Sequence, residues 1–350
     1  MYFKSDNSGY AAPQIMDAVV AANAGYEGSY GADRIMDRVR DKIRDIFEAP
    51  DAAVYLVATG TAANSLSLAT LVDPWSSIYC SDVAHVEWDE CGAPEFFTGG
   101  AKLIPNRSEA GRIDPDALRE RLAAGTNKDV HQVQRGALTV TNVTEVGGVY
   151  STTQVSALAA MAKSYGMGVH IDGARFANAI VSSNASPAEM TWRAGVDVLS
   201  FGGTKNGCLG VEAVVLFDPD KAWEFELRRK RAGHLFSKHR YLSAQMDAYL
   251  ENGLWLDLAR QANAASARLA GGLRDAGKDL LYAQDANMIF AQWSRGEHRR
   301  ILDNGAAYYL WPHTAELDGP AEDTVACRLV CNWATTSTDV DAFLDLVNAG

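Results

Sequence analysis

Between Asp51 and Asp218 the chain alternates short apolar runs with stretches of helical periodicity. The runs are AVYLVAT, SIYCSD, GALTVTNVT, GVHIDG, DVLSF and EAVVLFD, all of strand length. One intervening helix is legible in TTQVSALAAMAKSYG, where Val155, Leu158, Ala159 and Ala162 recur at helical spacing and Gly166 supplies the stop. Strands alternating with helices predict a mostly parallel sheet covered on both faces, with the ligand site in the loops that follow the strand C-termini. Beyond the basic stretch LRRKRAGHLFSKHR, Leu254, Leu258, Ala262, Ala265, Leu269 and Leu273 mark one long helix. Strand-like NMIFAQW and VACRLVCNW follow, with a closing helix from about Asp339, which together predict a smaller α/β domain. The expected division is an N-terminal segment 1–12, a large domain 13–250 and a small domain 251–350.

Hydrophobic residues at 47% and charged residues at 22% of 350 suit a soluble globular protein. The net charge is −12 and no block of lysine and arginine stands clear of acidic neighbours. That argues against nucleic acid and anionic membranes as partners and leaves a small molecule. Residues 228–231 read as a solvated basic face. The opening MYFKSDNSGY lacks a basic-then-apolar signal, so a cytoplasmic location is expected. Cys80, Cys91, Cys208, Cys327 and Cys331 form no C-x-x-C pair and read as reduced and mostly core. His234 and His239 lack metal-ligand context, and no catalytic metal is predicted.

Three strand ends carry chemistry. In SFGGTKNG a single lysine, Lys205, follows the strand DVLSF among residues too small to cover it. In GVHIDGAR, Asp172 ends a strand, and a carboxylate there calls for a cationic partner. In VATGTAANS a strand runs through Thr59, Gly60 and Thr61 into a helix, which forms an anion site suited to phosphate. A lysine, a carboxylate and a phosphate cradle at one sheet edge are what pyridoxal 5′-phosphate requires: an amine to hold the aldehyde, an anion for the pyridine nitrogen and amides for the phosphate.

The chain resembles the low-specificity L-threonine aldolases of the fold-type I pyridoxal-phosphate enzymes, nearly end to end. SDNSG at 5–9, GYEGSYGAD at 25–33, ATGTAAN at 58–64, HIDGAR at 170–175, FGGTKNG at 201–207 and RLVCNWATT at 328–336 carry the resemblance. It implies the aspartate aminotransferase-like α/β fold, with a mostly parallel seven-stranded central sheet and a smaller C-terminal α/β domain. It also implies Lys205 as the cofactor's lysine, Asp172 as the pyridine-nitrogen partner, Gly60 and Thr61 as phosphate ligands, and His85 as the histidine stacked on the ring. Ser5, Arg175 and Arg328 match groups that hold the substrate carboxylate. Tyr30 matches a tyrosine lent by a neighbouring subunit, so a homodimer or homotetramer with shared active sites is expected. His131 matches a histidine near the substrate side chain and is the expected acceptor of its hydroxyl proton, with His85, Glu90 or a water as alternatives. Taken alone, Glu90 reads as an acidic helix-face residue.

Two segments depart from the family pattern. TNVTEVGGV at 141–149 stands where many members carry E-N-T-H-N-G, and KRAGHLFSKHR at 230–240 where many carry K-R-L-G-G-G. Both resemble the phenylserine aldolase branch and suggest a bulky substrate side chain. The implied reaction is retro-aldol cleavage of an L-β-hydroxy-α-amino acid to glycine and an aldehyde. β-Elimination or transamination with the same cofactor is the alternative. A P-loop nucleotide site is excluded, since no G-x-x-x-x-G-K-[ST] occurs.

Overall fold

The computed structural model describes residues 1–349. Its central sheet has seven strands: β1 (Ala53–Val57), β2 (Ser76–Ser81), β3 (Lys102–Asn106), β4 (Gln134–Thr141), β5 (Gly168–Gly173), β6 (Val198–Gly202) and β7 (Glu212–Leu216). They lie side by side in the order β1-β7-β6-β5-β4-β2-β3. β7 is antiparallel to both its neighbours, and the pairs from β6 to β3 are all parallel. Six strands therefore end at one edge, and the reversed β7 begins there. The six apolar runs became β1, β2 and β4 to β7. The seventh strand, β3, escapes a hydrophobicity reading because it holds the sheet's rim, with Lys102 exposed and Pro105 unable to donate a ladder bond.

Burial on both faces explains the near-continuous apolar strands: every residue of β2, β6 and β7 is buried. The helix Gly60–Leu71 is buried from Ala62 to Thr70 without interruption. Small residues make that possible, since alanines and serines let the sheet and the helix Ala222–Arg231 approach it from opposite sides. The helix Thr152–Ser164 starts where Ser151 and Gln154 form a reciprocal capping box. The basic face is not uniformly solvated: Arg229 is buried, donates to the Leu56 carbonyl at 3.3 Å and lies over the Tyr55 ring.

A second, wholly antiparallel sheet comprises β8 (Asp279–Leu280), β9 (Met288–Ser294), β10 (Tyr309–Trp311) and β11 (Thr324–Val330), ordered β8-β9-β11-β10. The helices Leu254–Asp275 and Ser337–Asn348 cover it, and Leu269, Leu273, Ile289, Leu329 and Phe343 form its core. Phe3 is buried in the same core. Its N–H donates to Ala307, its carbonyl accepts from Val330, and further on Ala12 donates to the Gly207 carbonyl beside the lysine. Residues 4–11 are thereby strung between the second sheet and the lysine loop, which places them over the site.

Candidate active site

Five of the six strands that end at the common edge, all but the rim strand β3, deliver a component. After β1 the chain turns at Thr59, whose hydroxyl caps the Ala62 N–H at 3.2 Å. The amides of Gly60 and Thr61 are then left without an intrahelical acceptor, and a Cβ on Gly60 would meet nothing within 4 Å. That open, amide-lined space at a helix N-terminus suits an anion. After β6, Lys205 sits in the tight turn Thr204–Asn206, which closes at Gly207 with φ +105°. The turn is braced by Asn206, which donates to the Tyr249 hydroxyl and the Trp255 carbonyl, and by Glu212, which accepts the Gly203 N–H at 2.9 Å.

Among the described residues the Lys205 amine has no hydrogen-bond or ion-pair partner. Burial and the nearby Arg175 charge push its pKa down, which favours the neutral, nucleophilic amine. Asp172 at the end of β5 is the opposite case. Burial would raise its carboxyl, but the charges of His85 and Lys205 and the Ala174 N–H outweigh that and hold it below the ordinary carboxylate range. It remains an anion in the interior. His170, two residues earlier, bridges Thr139 and Ser200 inside the sheet, and burial lowers its pKa to about 4, so it acts there as a neutral structural link.

His85 follows β2 and opens the short helix His85–Trp88. Its Nδ1 meets Glu90 Oε1 at 2.9 Å, and Glu90 is fully shielded, not the helix-face residue its sequence suggested. The same Glu90 oxygen accepts from Asn64, which also donates to Asp172 Oδ2, both at 2.9 Å. One amide thus ties the His85–Glu90 pair to the β5 carboxylate. After β4, Glu145 accepts the His85 backbone N–H at 2.7 Å and the Thr141 hydroxyl at 2.8 Å.

Arg175 and Arg328 approach from two sides. Arg175 is clamped by Asp6 through Nε at 2.6 Å and Nη2 at 3.0 Å, and Asn287 donates to the same carboxylate. Arg328 comes from β11 and donates to the Lys4 carbonyl at 3.4 Å. Its guanidinium lies over the Tyr309 ring, and its buried Nε has no partner. Two neighbouring guanidiniums with unused donors leave room for one more carboxylate.

The structure brings Gly60, His85, Asp172, Arg175 and Lys205 around one cavity. It does not bring every sequence-predicted residue there. Ser5 caps its own turn by accepting from Asn7, next to Asp6, which makes the contact to Arg175. Tyr30 is half exposed, tied through its N–H to Ser237, with its ring under Lys230. His131 is exposed in the loop before β4. A strand the length of β4 spans about 26 Å, so within one chain His131 stands at the far edge of the sheet.

Sequence reasoning missed Asp6, Asn64, Glu145 and Glu212. The first two lie inside motifs already singled out, and Glu145 follows a strand end by the same rule that found Lys205. Glu212 begins a strand, and only the reversal of β7 brings it to this edge. Among the described residues no cluster of His, Cys, Asp or Glu could hold a metal ion.

This sheet order, with an anion cradle, a buried carboxylate and an unpaired, partly buried lysine at one edge, defines a pyridoxal-phosphate-dependent enzyme of fold type I. The residues fit the group: the open space at Gly60 suits a phosphate, and the charged Asp172 suits a protonated pyridine nitrogen. The family described as Beta-eliminating lyase matches residues 3–295, and the chain belongs to it. The low-specificity L-threonine aldolase of Pseudomonas sp. (strain NCIMB 10558) is 40% identical over 97% of this chain and 94% of its own length. That of Pseudomonas aeruginosa is 40% identical over 98% and 95%. Among solved structures, threonine aldolase of Leishmania major superposes with a TM-score of 0.91 at 25% identity, covering 99% of this chain and 98% of that one. The fold is also that of Sphingomonas wittichii serine palmitoyltransferase, with a TM-score of 0.72 at 17% identity over 100% and 86% of the two chains.

Proposed function

We propose that this protein is a pyridoxal-phosphate-dependent aldehyde-lyase that splits L-β-hydroxy-α-amino acids into glycine and an aldehyde. The observation that carries this is an unpaired, partly buried Lys205 amine sharing a cavity with Asp172, beside two guanidiniums with free donors, in a chain so similar to threonine aldolases. When bound, the cofactor supplies an electron sink for the substrate Cα. Lys205 is the residue that would hold it through its amine, with the phosphate on the Gly60 and Thr61 amides and the pyridine nitrogen on Asp172. His85, fixed by Glu90, would lie against the ring.

Arg175 and Arg328 receive the substrate carboxylate. Asp6 already occupies Nε and Nη2 of Arg175, which leaves Nη1 as the donor and fixes its direction. Ser5 lies on the same strung segment and adds a hydroxyl beside that pair. Holding the carboxylate at two points would fix the direction of the bonds at Cα, so these residues act on rate through orientation. The changed segments at 141–149 and 230–240 favour a substrate with an aromatic or other bulky side chain.

The active unit is a homo-oligomer, at least a dimer. Tyr26, Tyr30, Trp88, Phe96 and Leu227 are exposed on one chain. Tyr30 and His131 reach a site only if a second copy supplies them. No helix among the described residues is long and apolar enough to cross a membrane, and a cytoplasmic location is in keeping with the reduced cysteines.

β-Elimination is the second reading, favoured by the family's own description. A panel of threonine, allo-threonine and phenylserine, with glycine, aldehyde, ammonia and keto acid all quantified, separates the two. Equimolar glycine and aldehyde are expected. Ammonia and keto acid without glycine would replace the aldolase reading by the eliminating one.

A further inference from the structure

Four polar atoms near the catalytic edge are shielded from solvent and have no protein partner: Asn64 Oδ1, Glu90 Oε2, Glu145 Oε2 and Arg328 Nε. Leaving such an atom unpaired is costly, so each one calls for a partner from outside the protein, a ligand or an ordered water. Arg328 is accounted for by a substrate carboxylate. Glu90 spends its other oxygen on His85 Nδ1 and Asn64, which fixes the imidazole. Glu145 differs from both. Its Oε1 is anchored by two donors that hardly titrate, the His85 backbone N–H and the Thr141 hydroxyl, while Oε2 has no partner, and the residue lines the same cavity as Lys205.

We propose that Glu145 is the catalytic base that takes the proton from the substrate's β-hydroxyl, through its free oxygen Oε2. The proposal rests on the retro-aldol reading above. The O–H bond breaks and its proton passes to Glu145. The electron pair of that bond becomes the second carbon–oxygen bond of the aldehyde, and the Cα–Cβ bond breaks with its pair left on Cα. Cα then takes up one proton, which balances the one removed, so no co-reactant is needed.

The electrostatics of the wall agree with this role. Burial raises the Glu145 carboxyl to about 7, against the opposing pull of its backbone and hydroxyl donors, and the Asp172 charge adds to the rise. His85, Glu90, Arg175 and Lys205 are the other charged or titratable groups lining the cavity. A base that titrates near the working pH combines a useful ionised fraction with enough basicity to accept the proton. The assignment also accounts for His131, which stands at the opposite sheet edge of its own chain and is not needed as that acceptor.

Glu145→Gln keeps an oxygen for both anchoring donors and removes only the basicity. In cofactor-loaded protein we expect aldehyde release from phenylserine to fall by about 10²–10⁴-fold, the usual worth of a positioned base. Its rise with pH through about 7 should vanish. KM and the exchange of glycine's α-proton, which involves no hydroxyl, should stay within a few-fold of the parent, and Glu145→Asp should recover part of the rate. Cofactor-free protein gives a readout independent of turnover: protonated-carboxyl infrared absorption that titrates near neutral pH in the parent and loses the Glu145 component in Glu145→Gln, while the component of Glu212 remains. Cleavage by Glu145→Gln within a few-fold of the parent would overturn the proposal. So would an equal loss of cleavage and exchange, which would mark Glu145 as a support for His85 alone, or titrating absorption that Glu145→Gln leaves unchanged. Failure of the aldolase reading shows separately, as a parent that releases no aldehyde from any substrate of the panel.

Discussion

The two edges of the central sheet are built from the same strands and treat charge in opposite ways. Where β5 begins, Asp197 accepts the Val169 N–H and pairs with a half-exposed Lys163 at 2.6 Å. Arg135, at the start of β4, spends its guanidinium on the carbonyls of Leu122 and Gly125 and lies over Tyr165. Every one of these groups has a partner. Where β4, β5 and β6 end, Lys205 is unpaired, Glu145 and Glu90 each keep a shielded oxygen free, and Glu212 is a carboxyl raised to about 7 by burial. A buried polar group without a partner costs about 1–3 kcal/mol, so one edge is arranged for stability and the other holds contacts in reserve for what binds there.

The strongest way to break that contrast is Lys205→Ala. Activity should drop by more than about 10⁴-fold, beyond the loss of a single acid–base group, and borohydride should no longer fix cofactor to the protein. A borohydride label on another lysine would move the reactive edge elsewhere. Next in size is His131, which in one chain belongs to the quiet edge. Lys205→Ala and His131→Ala chains, each impaired alone, should regain part of the activity when mixed under subunit exchange. No recovery in verified hybrids would confine His131 to its own edge.

The carboxylate pocket should respond more moderately. Arg328→Lys keeps the charge and loses the fork, and Asp6→Asn frees Arg175 from its clamp. Each should raise KM for the amino acid by roughly 1.5–3 kcal/mol, the worth of a hydrogen bond to a charged group, with cofactor retained. An unchanged KM and kcat in either variant would remove that residue from the substrate's path.

Stability against pH gives a smaller but signed effect. Glu145 and Glu212 have folded-state pKa values raised to about 7 from an ordinary 4.5, so between those limits the native state binds more protons than the unfolded one. Stability of cofactor-free protein should therefore fall as pH rises through that window. Glu212→Gln should flatten the fall, as read from urea midpoints between pH 5 and 8, and an equally steep slope would refute the burial of that carboxyl. Smallest of all is Lys163→Met at the opposite edge. An exposed pair is worth about 0–1 kcal/mol, and aldehyde release should not change.

The pattern of apolar runs, periodic stretches and small-residue loops was enough to determine the parallel sheet, its long helices and the edge at which Lys205, Asp172 and Gly60 meet. Local rules carry that much, because strand alternation, helix stops and loops after strand ends are written in neighbouring residues. Three things came from tertiary structure alone. The β3 rim depends on which strands already flank it, and its Pro105 conceals it from any hydrophobicity pattern. Glu212 reaches the site because β7 runs backwards, a fact of pairing between residues far apart in the chain. Asp6 meets Arg175, and Asn64 joins Glu90 to Asp172, across separations of 169, 26 and 108 residues. Such contacts leave no periodic trace, since a polar side chain's partner is set by where two loops converge, and burial decides which carboxylates titrate near neutral pH.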